Sequence, residues 1–329
     1  MVKHLCLYSA FNRYPTVTDN TCFCKCIVCH LYRIRFIGIV YPNTLYAYTV
    51  KQSKLFNSNR SDYCPALLPD GEQLYFTSNR NAATGDDLSN ITGQKLSDIF
   101  FARKDEKGRW KPVEQVEGSL NSALDEGAPA FSPDGKMIAW QSMERDGYES
   151  DRNRLCILNL TTGQKQYVTE SFDSGGEGFC WAPDNKTLYF VGVWHARQMV
   201  YQTNLKGEVK VLTSGDYDYG SLQMMPGGKQ LLVERHSMSA PADLYLLTPV
   251  KNKVAVVKQI TRENEHLLSQ LALGDVKERW VKTTDGKEEL CWVIYPSHFD
   301  PSKKYPALLF CEGGPQSPVS QFWSYRWNF

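Results

Sequence analysis

Phe131-Ser132-Pro133-Asp134-Gly135-Lys136-Met137-Ile138-Ala139-Trp140 reads as a tight turn that delivers an apolar strand. Proline presets φ, aspartate bonds its own backbone two residues on, and glycine accepts the positive φ that closes the turn. The same arrangement occurs three more times. Leu68-Pro69-Asp70-Gly71 precedes Leu74-Tyr75-Phe76, Ala182-Pro183-Asp184-Asn185 precedes Leu188-Tyr189-Phe190-Val191, and Met225-Pro226-Gly227-Gly228 precedes Leu231-Leu232-Val233. The third turn residues, Asp70, Asp134, Asp184 and Gly227, recur at intervals of roughly 40–65 residues, the size of a propeller blade.

A second hairpin follows each turn. Residues 154–160 lead through Thr162-Gly163 to 165–168, residues 199–205 through Lys206-Gly207 to 209–212, and residues 244–247 to 254–260. Four short strands per unit, repeated, predict a mainly β chain with a β-propeller over residues 57–273. An open β-sandwich of hairpins is the alternative, and the even period counts against it. Four visible blades stand at the bottom of the usual range of about 4–8, so the ring reads as small or incomplete. The first unit carries a polar insertion, residues 79–97, expected as a surface loop. Residues 1–56 show no blade pattern and read as an unassigned, poorly ordered leader.

Composition narrows the function classes. Lys+Arg 37 against Asp+Glu 36 leaves a formal charge of +1, so no basic field exists to hold nucleic acid or an anionic membrane surface. Hydrophobic residues at 42% can fill a core. The longest apolar-leaning run, residues 36–50, is broken by Pro42, Asn43 and Thr44 and is too short for a spanning helix. The start of the chain does not read as a signal peptide, which leaves the compartment open. Cys6, Cys22, Cys24, Cys26 and Cys29 crowd the leader; Cys64, Cys156, Cys180, Cys291 and Cys311 lie singly in apolar stretches and read as reduced core thiols.

From residue 273 the pattern changes. Residues 278–283 and 288–295 flank the turn Thr284-Asp285-Gly286, and a link over 296–304 leads to Tyr305-Pro306-Ala307-Leu308-Leu309-Phe310-Cys311. That run is continuously apolar, as a strand buried on both faces should be. Glu312-Gly313-Gly314-Pro315 follows it directly.

Ser-Pro-Asp-Gly turns, then Trp280 to Gly286, Tyr295-Pro296, Lys304-Tyr305-Pro306 and a strand ending in Gly313-Gly314-Pro315 together resemble the prolyl oligopeptidase family of serine peptidases. The likeness covers residues 131–329 and is nearest to bacterial dipeptidyl-peptidase and acylaminoacyl-peptidase members. Residues 57–118 look more like TolB-like propeller repeats. The resemblance implies a propeller capping an α/β-hydrolase domain, with residues 274–329 as that domain's start, and a peptide substrate. It implies no cofactor.

The family's chemistry needs a serine on a Gly-x-Ser-x-Gly elbow, followed by Asp and His. No serine here has glycine at both flanking positions, and His4, His30, His195, His236, His266 and His298 all precede the place of the elbow. The chain alone is therefore expected to be inactive, a propeller portion whose catalytic hydrolase part is supplied elsewhere. By resemblance, the loop at Gly313 offers backbone N–H groups to an oxyanion, and Glu312 departs from the Tyr or His often found there. Glu144, Asp146 and Glu149 could hold a substrate α-ammonium; with Arg145, Arg152 and Arg154 interleaved, a self-paired solvated loop is the plainer reading. Cys26-Ile27-Val28-Cys29-His30 matches a haem attachment pattern, and Cys22, Cys24, Cys26 and Cys29 could supply thiolates to zinc, but no pocket or second ligand accompanies them, so no metal is expected. His195 has no acid or nucleophile near it in sequence and reads as a packed propeller histidine. A non-enzymatic propeller binding a protein or cell-envelope partner is the competing function.

Overall fold

The structure is a computed structural model that describes the backbone of residues 38–41 and 44–47, and residues 54–84, 88–89, 93–116, 118–122, 125–143, 145, 151–310 and 318–324 in full. Two compact units divide the chain at Pro129/Ala130. Within the leader, β1 (Gly38–Tyr41) pairs antiparallel with β2 (Thr44–Ala47); the remainder of the leader, with Cys6 to His30, lies outside the described residues.

Four four-stranded antiparallel meanders follow. Blade 1 is β3 (Asp62–Leu67), β4 (Gln73–Ser78), β5 (Asp98–Arg103) and β6 (Glu114–Gln115). Blade 2 is β7 (Glu126–Phe131), in which the division between units falls, β8 (Met137–Ser142), β9 (Arg154–Asn159) and β10 (Lys165–Tyr167). Blade 3 is β11 (Glu177–Trp181), β12 (Thr187–Trp194), β13 (Arg197–Asn204) and β14 (Val209–Val211). Blade 4 is β15 (Asp218–Met224), β16 (Leu231–Ser237), β17 (Ala240–Val250) and β18 (Lys253–Gln259). A single helical turn, α1 (Glu265–Leu268), and a separate hairpin of β19 (Val276–Lys282) and β20 (Glu288–Ile294) complete the elements.

All four Pro-containing turns join the first strand of a blade to the second, as their repetition predicts. Each closes with the same two backbone bonds. The N–H of Leu68, Ser132, Ala182 and Met225 donates to the carbonyl five residues on, and the N–H of Gly71, Gly135, Asn185 and Gly228 donates back to those four residues. The φ of the four closing residues is +76°, +71°, +56° and +67°. Asp70, Asp134 and Asp184 each accept the N–H two residues ahead, at 2.9, 3.1 and 2.8 Å.

Two further repeats are structural. A residue with left-handed backbone, Cys64, Ala128, Gly178 or Ser221, stands in each first strand with φ between +49° and +54°. In β3, β11 and β15 it lies where the register slips, which makes it a β-bulge. The second repeat closes the blade. Thr169, Thr213 and Thr261 each follow the fourth strand, and their Oγ1 accepts the N–H of Leu155, Val200 and Leu244 on the third strand at 2.8, 3.0 and 2.8 Å. In blade 1, Asn121 Oδ1 does the same for the N–H of Ile99 at 2.8 Å.

The cores lie between and within sheets. In blade 1, Phe56, Leu74, Phe76, Ala83, Phe100 and Ala102 are buried together. In the second unit, Leu155 and Ile157 of blade 2 pack on Trp181, Leu188 and Phe190 of blade 3; Val191 and Val200 of blade 3 pack on Leu231, Val233 and Leu247 of blade 4. Each fully buried aliphatic contributes about 1.5–3 kcal/mol of transfer free energy. Val168 and Leu212, immediately before the closing threonines, are buried in the same layers, so one dipeptide fills the core and caps the strand.

Several expectations need correction. Phe56, placed in the leader, is a core residue whose carbonyl accepts from Arg80. The insertion at 79–97 is not wholly a surface loop. Ala83 reaches the core, Ser89 is buried, and Thr84 donates through its N–H and hydroxyl to Asp98 at 2.6 Å. Residues 305–310 form no strand; Leu308 and Leu309 are 101% and 89% exposed, and residue 311 lies outside the described residues. A strand buried on both faces needs a neighbour along each edge and a layer over each face, and the described residues supply neither. Cys156 is buried and in no disulfide, and burial pushes the Cys180 thiol up to about 12.

Thr213→Val, which keeps the shape but removes the acceptor, leaves a buried N–H without its partner and should cost about 1–3 kcal/mol, read as a lower urea midpoint. An unchanged midpoint would show that the threonine is ornamental. The bulges predict opposite signs for opposite changes. Ser221→Gly should stabilise by about 0.5–1 kcal/mol and Gly178→Ala destabilise by about as much, because relief of the left-handed penalty outweighs the added chain entropy of glycine. No atom lies within 4 Å of a Cβ at Gly178, so the second change tests backbone alone.

Candidate functional site

The residues singled out for substrate and oxyanion contact, Glu144, Asp146, Glu149, Glu312 and Gly313, lie outside the described residues. Beside the first group, Arg145 forms an ion pair with Asp151 and holds its carboxyl below the ordinary carboxylate range. Among the described residues no cluster of His, Cys, Asp and Glu could hold a metal ion.

His195 is not packed in a core. The β12–β13 hairpin turns over His195-Ala196 with φ of +48° and +53°, the geometry of a two-residue hairpin turn usually given to Asn-Gly, and this lifts the imidazole to the surface. Its ring stacks on Trp194 at 4.6 Å and meets Trp280 of β19 edge-on at 5.1 Å. Arg197, below the turn, donates to Asp216 at 2.7 Å and to Glu278 at 2.5 Å and lies over the Trp292 ring. The β19–β20 hairpin is thereby clasped to blade 3.

The most developed site belongs to blade 4. Strand β16 begins with Leu231-Leu232-Val233, all buried, and then turns polar with Glu234-Arg235-His236-Ser237. Its apolar half anchors the sheet while its polar half borders a cavity of about 510 Å³, lined in part by Tyr217, Arg235, His236, Asp243, Tyr245 and Gln259. The register sets Arg235 between Tyr219 on β15 and Asp243 on β17. Its guanidinium carbon lies 4.0 Å from the Tyr217 ring centre and 3.8 Å from that of Tyr245, a cation–π contact with each. Burial disfavours the charge, but hydrogen bonds donated to the Tyr219 and Tyr245 hydroxyls hold its pKa above the ordinary value.

The neighbouring pair is His236 and Asp218, opposite each other in the ladder. Asp218, whose side chain is wholly buried, accepts the Gln198 N–H at 2.8 Å and the Ser320 hydroxyl at 2.6 Å, and its Oδ2 lies 3.8 Å from His236 Nε2. Gln321 Oε1 accepts the Met238 N–H at 3.3 Å. Residues 318–324 are thus pinned to blade 4. Serine, histidine and aspartate meet here in an order that cannot relay a proton to a nucleophile, since the serine donates to the acid and the imidazole does not stand between them. Burial pushes the His236 pKa below its usual value against the pull of Asp218 and Glu234. The arrangement is suited to binding. Arg235 and Asp218 carried no signal in the sequence beyond a strand that changes from apolar to charged halfway along.

Comparison with known proteins places this geometry. No family model matches the sequence. The chain is 41% identical over 261 residues to dipeptidyl-peptidase 5 of Porphyromonas gingivalis, covering 79% of this chain and 36% of that protein. The chain is a homologue of the dipeptidyl-peptidase 5 proteins. The counterpart in Porphyromonas endodontalis is 42% identical over 275 residues, 83% of this chain and 37% of its own, and that of Aspergillus fumigatus is 32% identical over 212 residues. The chain spans little more than a third of the length of those two bacterial relatives. Pyrococcus horikoshii acylaminoacyl peptidase superposes with a TM-score of 0.58 at 16% identity over 88% of this chain and 51% of that one, which supports the propeller fold. TolB from Acinetobacter baumannii overlaps with a TM-score of 0.45 at 17% identity over 67% of this chain. Among the described residues no helix is long and apolar enough to cross a membrane.

The His236 shift fixes a pH dependence. Its pKa in the folded chain lies below the ordinary imidazole value of about 6.5, so the unfolded chain binds the proton more readily. The associated stability is fully present above that value and is lost as pH falls from about 6.5 through the folded value. His236→Gln should therefore flatten the fall of melting temperature between about pH 7 and 5. An unaltered slope in the variant would show that the imidazole titrates as if free.

Proposed function

We propose that this chain is the substrate-handling propeller, with the opening of the hydrolase domain in residues 274–329, of a serine exopeptidase of the dipeptidyl-peptidase type. The observation that carries the reading is 41% identity across 79% of the chain but only 36% of the relative. The nucleophilic serine, the acid and the histidine then belong to sequence that this chain does not contain, in agreement with the lack of any Gly-x-Ser-x-Gly elbow in it.

In this reading Glu144, Asp146 and Glu149 hold the α-ammonium of a peptide, and backbone N–H groups near Gly313 help to stabilise the oxyanion, with Glu312 beside them. Glycine at 313 allows the close backbone approach that an oxyanion requires. The exposed Trp194, His195 and Trp280 favour the second reading, a propeller whose task is to bind a protein or cell-envelope partner.

Turnover of dipeptidyl chromogenic substrates decides between them. The 329-residue chain alone should show no activity above a control treated with a serine-directed inhibitor, and joining it to the catalytic portion of a dipeptidyl-peptidase 5 should restore turnover. In that joined protein, neutralising Glu144, Asp146 and Glu149 together should raise KM at least tenfold for free-amine substrates, while Gly313→Pro should lower kcat by about 10²–10³. A joined, folded protein without turnover would leave the binding propeller as the function.

A further inference from the structure

We propose that the blade 4 cavity is a carboxylate-binding site in which the edge of the Arg235 guanidinium grips the carboxylate of a peptide. The first argument is how the cation is held. The guanidinium carbon lies 4.0 Å from the Tyr217 ring centre and 3.8 Å from that of Tyr245, and bonds to the Tyr219 and Tyr245 hydroxyls take only part of its N–H donors, which restrains its plane and leaves donors for another partner. A planar fork held in one orientation is the geometry that binds a carboxylate through two parallel hydrogen bonds.

The second argument is the missing counter-ion. Several other half-buried arginines keep a carboxylate within 4 Å: Arg80 has Asp62, Arg154 has Glu170, and Arg197 has Asp216 and Glu278. Arg235 forms no such pair among the described residues. Its cross-strand neighbour Asp243 is the obvious candidate and is committed elsewhere. Asp243 Oδ1 accepts from Thr261 Oγ1 at 2.7 Å and from the Glu263 N–H at 3.2 Å, and Oδ2 accepts from Gln259 Nε2 at 3.1 Å. Glu265, also on the wall, is bound by Arg262 at 2.7 Å.

The third argument selects the anion. A phosphate would bring nearly two charges to a wall that offers one arginine and holds two carboxylates, Asp243 and Glu265. A monoanionic carboxylate is balanced by Arg235 alone, and the tyrosine rings give its bearer an apolar surface. That the bearer is a peptide rests on the peptidase reading above; the preference for a carboxylate does not. An α-carboxylate and an Asp or Glu side chain share this chemistry.

Calorimetric titration of the full 329-residue chain separates the cases. The ligands are acetyl-trialanine as free acid, the same peptide as its amide, acetyl-Ala-Glu-Ala amide, and inorganic phosphate. The free acid, the glutamyl amide or both should bind at least tenfold more tightly than trialanine amide, and which of the two binds identifies the source of the carboxylate. Arg235→Gln, checked for an unchanged melting temperature, should lose that preference, with Arg235→Lys intermediate. Should Arg235→Gln not fold, the acid-to-amide ratio of the wild type stands as the test. Equal binding of acid and amide, tighter binding of phosphate, or a preference that survives in folded Arg235→Gln would overturn the proposal. The titration needs no turnover, so a chain that selects carboxylates yet confers no peptidase activity when joined to a catalytic portion would keep this inference and lose the peptidase reading.

Discussion

A blade can end only where the last strand's loss of ladder partners is made good, and here a single side-chain oxygen does so, a threonine hydroxyl in blades 2, 3 and 4 and the Asn121 amide in blade 1. The fourth strands β10 and β14 are three residues long, and β6 is two. Beyond them the third strand still presents an N–H to the interior. Leaving that donor unpaired would cost about 1–3 kcal/mol, a large part of any domain's margin. Thr169, Thr213 and Thr261 accept it, and Val168 and Leu212, before the first two, enter the apolar layer. In blades 2 and 3 the short outer strand and the closure of the meander both depend on that one bond being available at the right place.

The first strand solves a different problem. It must bend between neighbouring elements while keeping its ladder to the second strand, and a bulge with a left-handed residue gives both extra twist and one unpaired position. Only Gly178 suits that backbone without strain; Cys64, Ala128 and Ser221 adopt it because the ladder on either side fixes it. The register of the second strand is then set by two devices in series, the bulge and the Pro-containing turn that follows it.

The turns were legible in the sequence because their chemistry is local: Pro, Asp and Gly act within four residues, and three of the four sites keep the aspartate. The bulges were hidden because three of the four positions hold residues with no preference for positive φ. The closing threonines were visible in principle as the repeated pairs Val168-Thr169, Leu212-Thr213 and Ile260-Thr261, but a hydroxyl that accepts from a strand 13 to 17 residues away has no local signature. The apolar run at 305–310 misled for the opposite reason. Composition reports what a segment would bury, and only neighbours decide whether it does. His195 was misread because a surface turn and a core strand differ by backbone sign, which a histidine does not announce.

Nor could the sequence reveal Arg235, whose significance arises from three strands meeting. Stability does not account for an arginine at this position. Between two tyrosine rings an apolar side chain of similar volume would pack as well and would spare the cost of taking a guanidinium partly out of water. The aromatic faces recover part of that cost, about 0.5–2 kcal/mol for each, and bonds to the tyrosine hydroxyls recover more, yet these neutral acceptors neither balance the charge nor pair with two parallel donors as a carboxylate would. Meanwhile Asp243, the residue the register offers as a counter-ion, is spent on Thr261, the same threonine that closes the blade. Closure and charge pairing compete for one carboxylate, closure wins, and the cation borders the cavity with no carboxylate partner among the described residues.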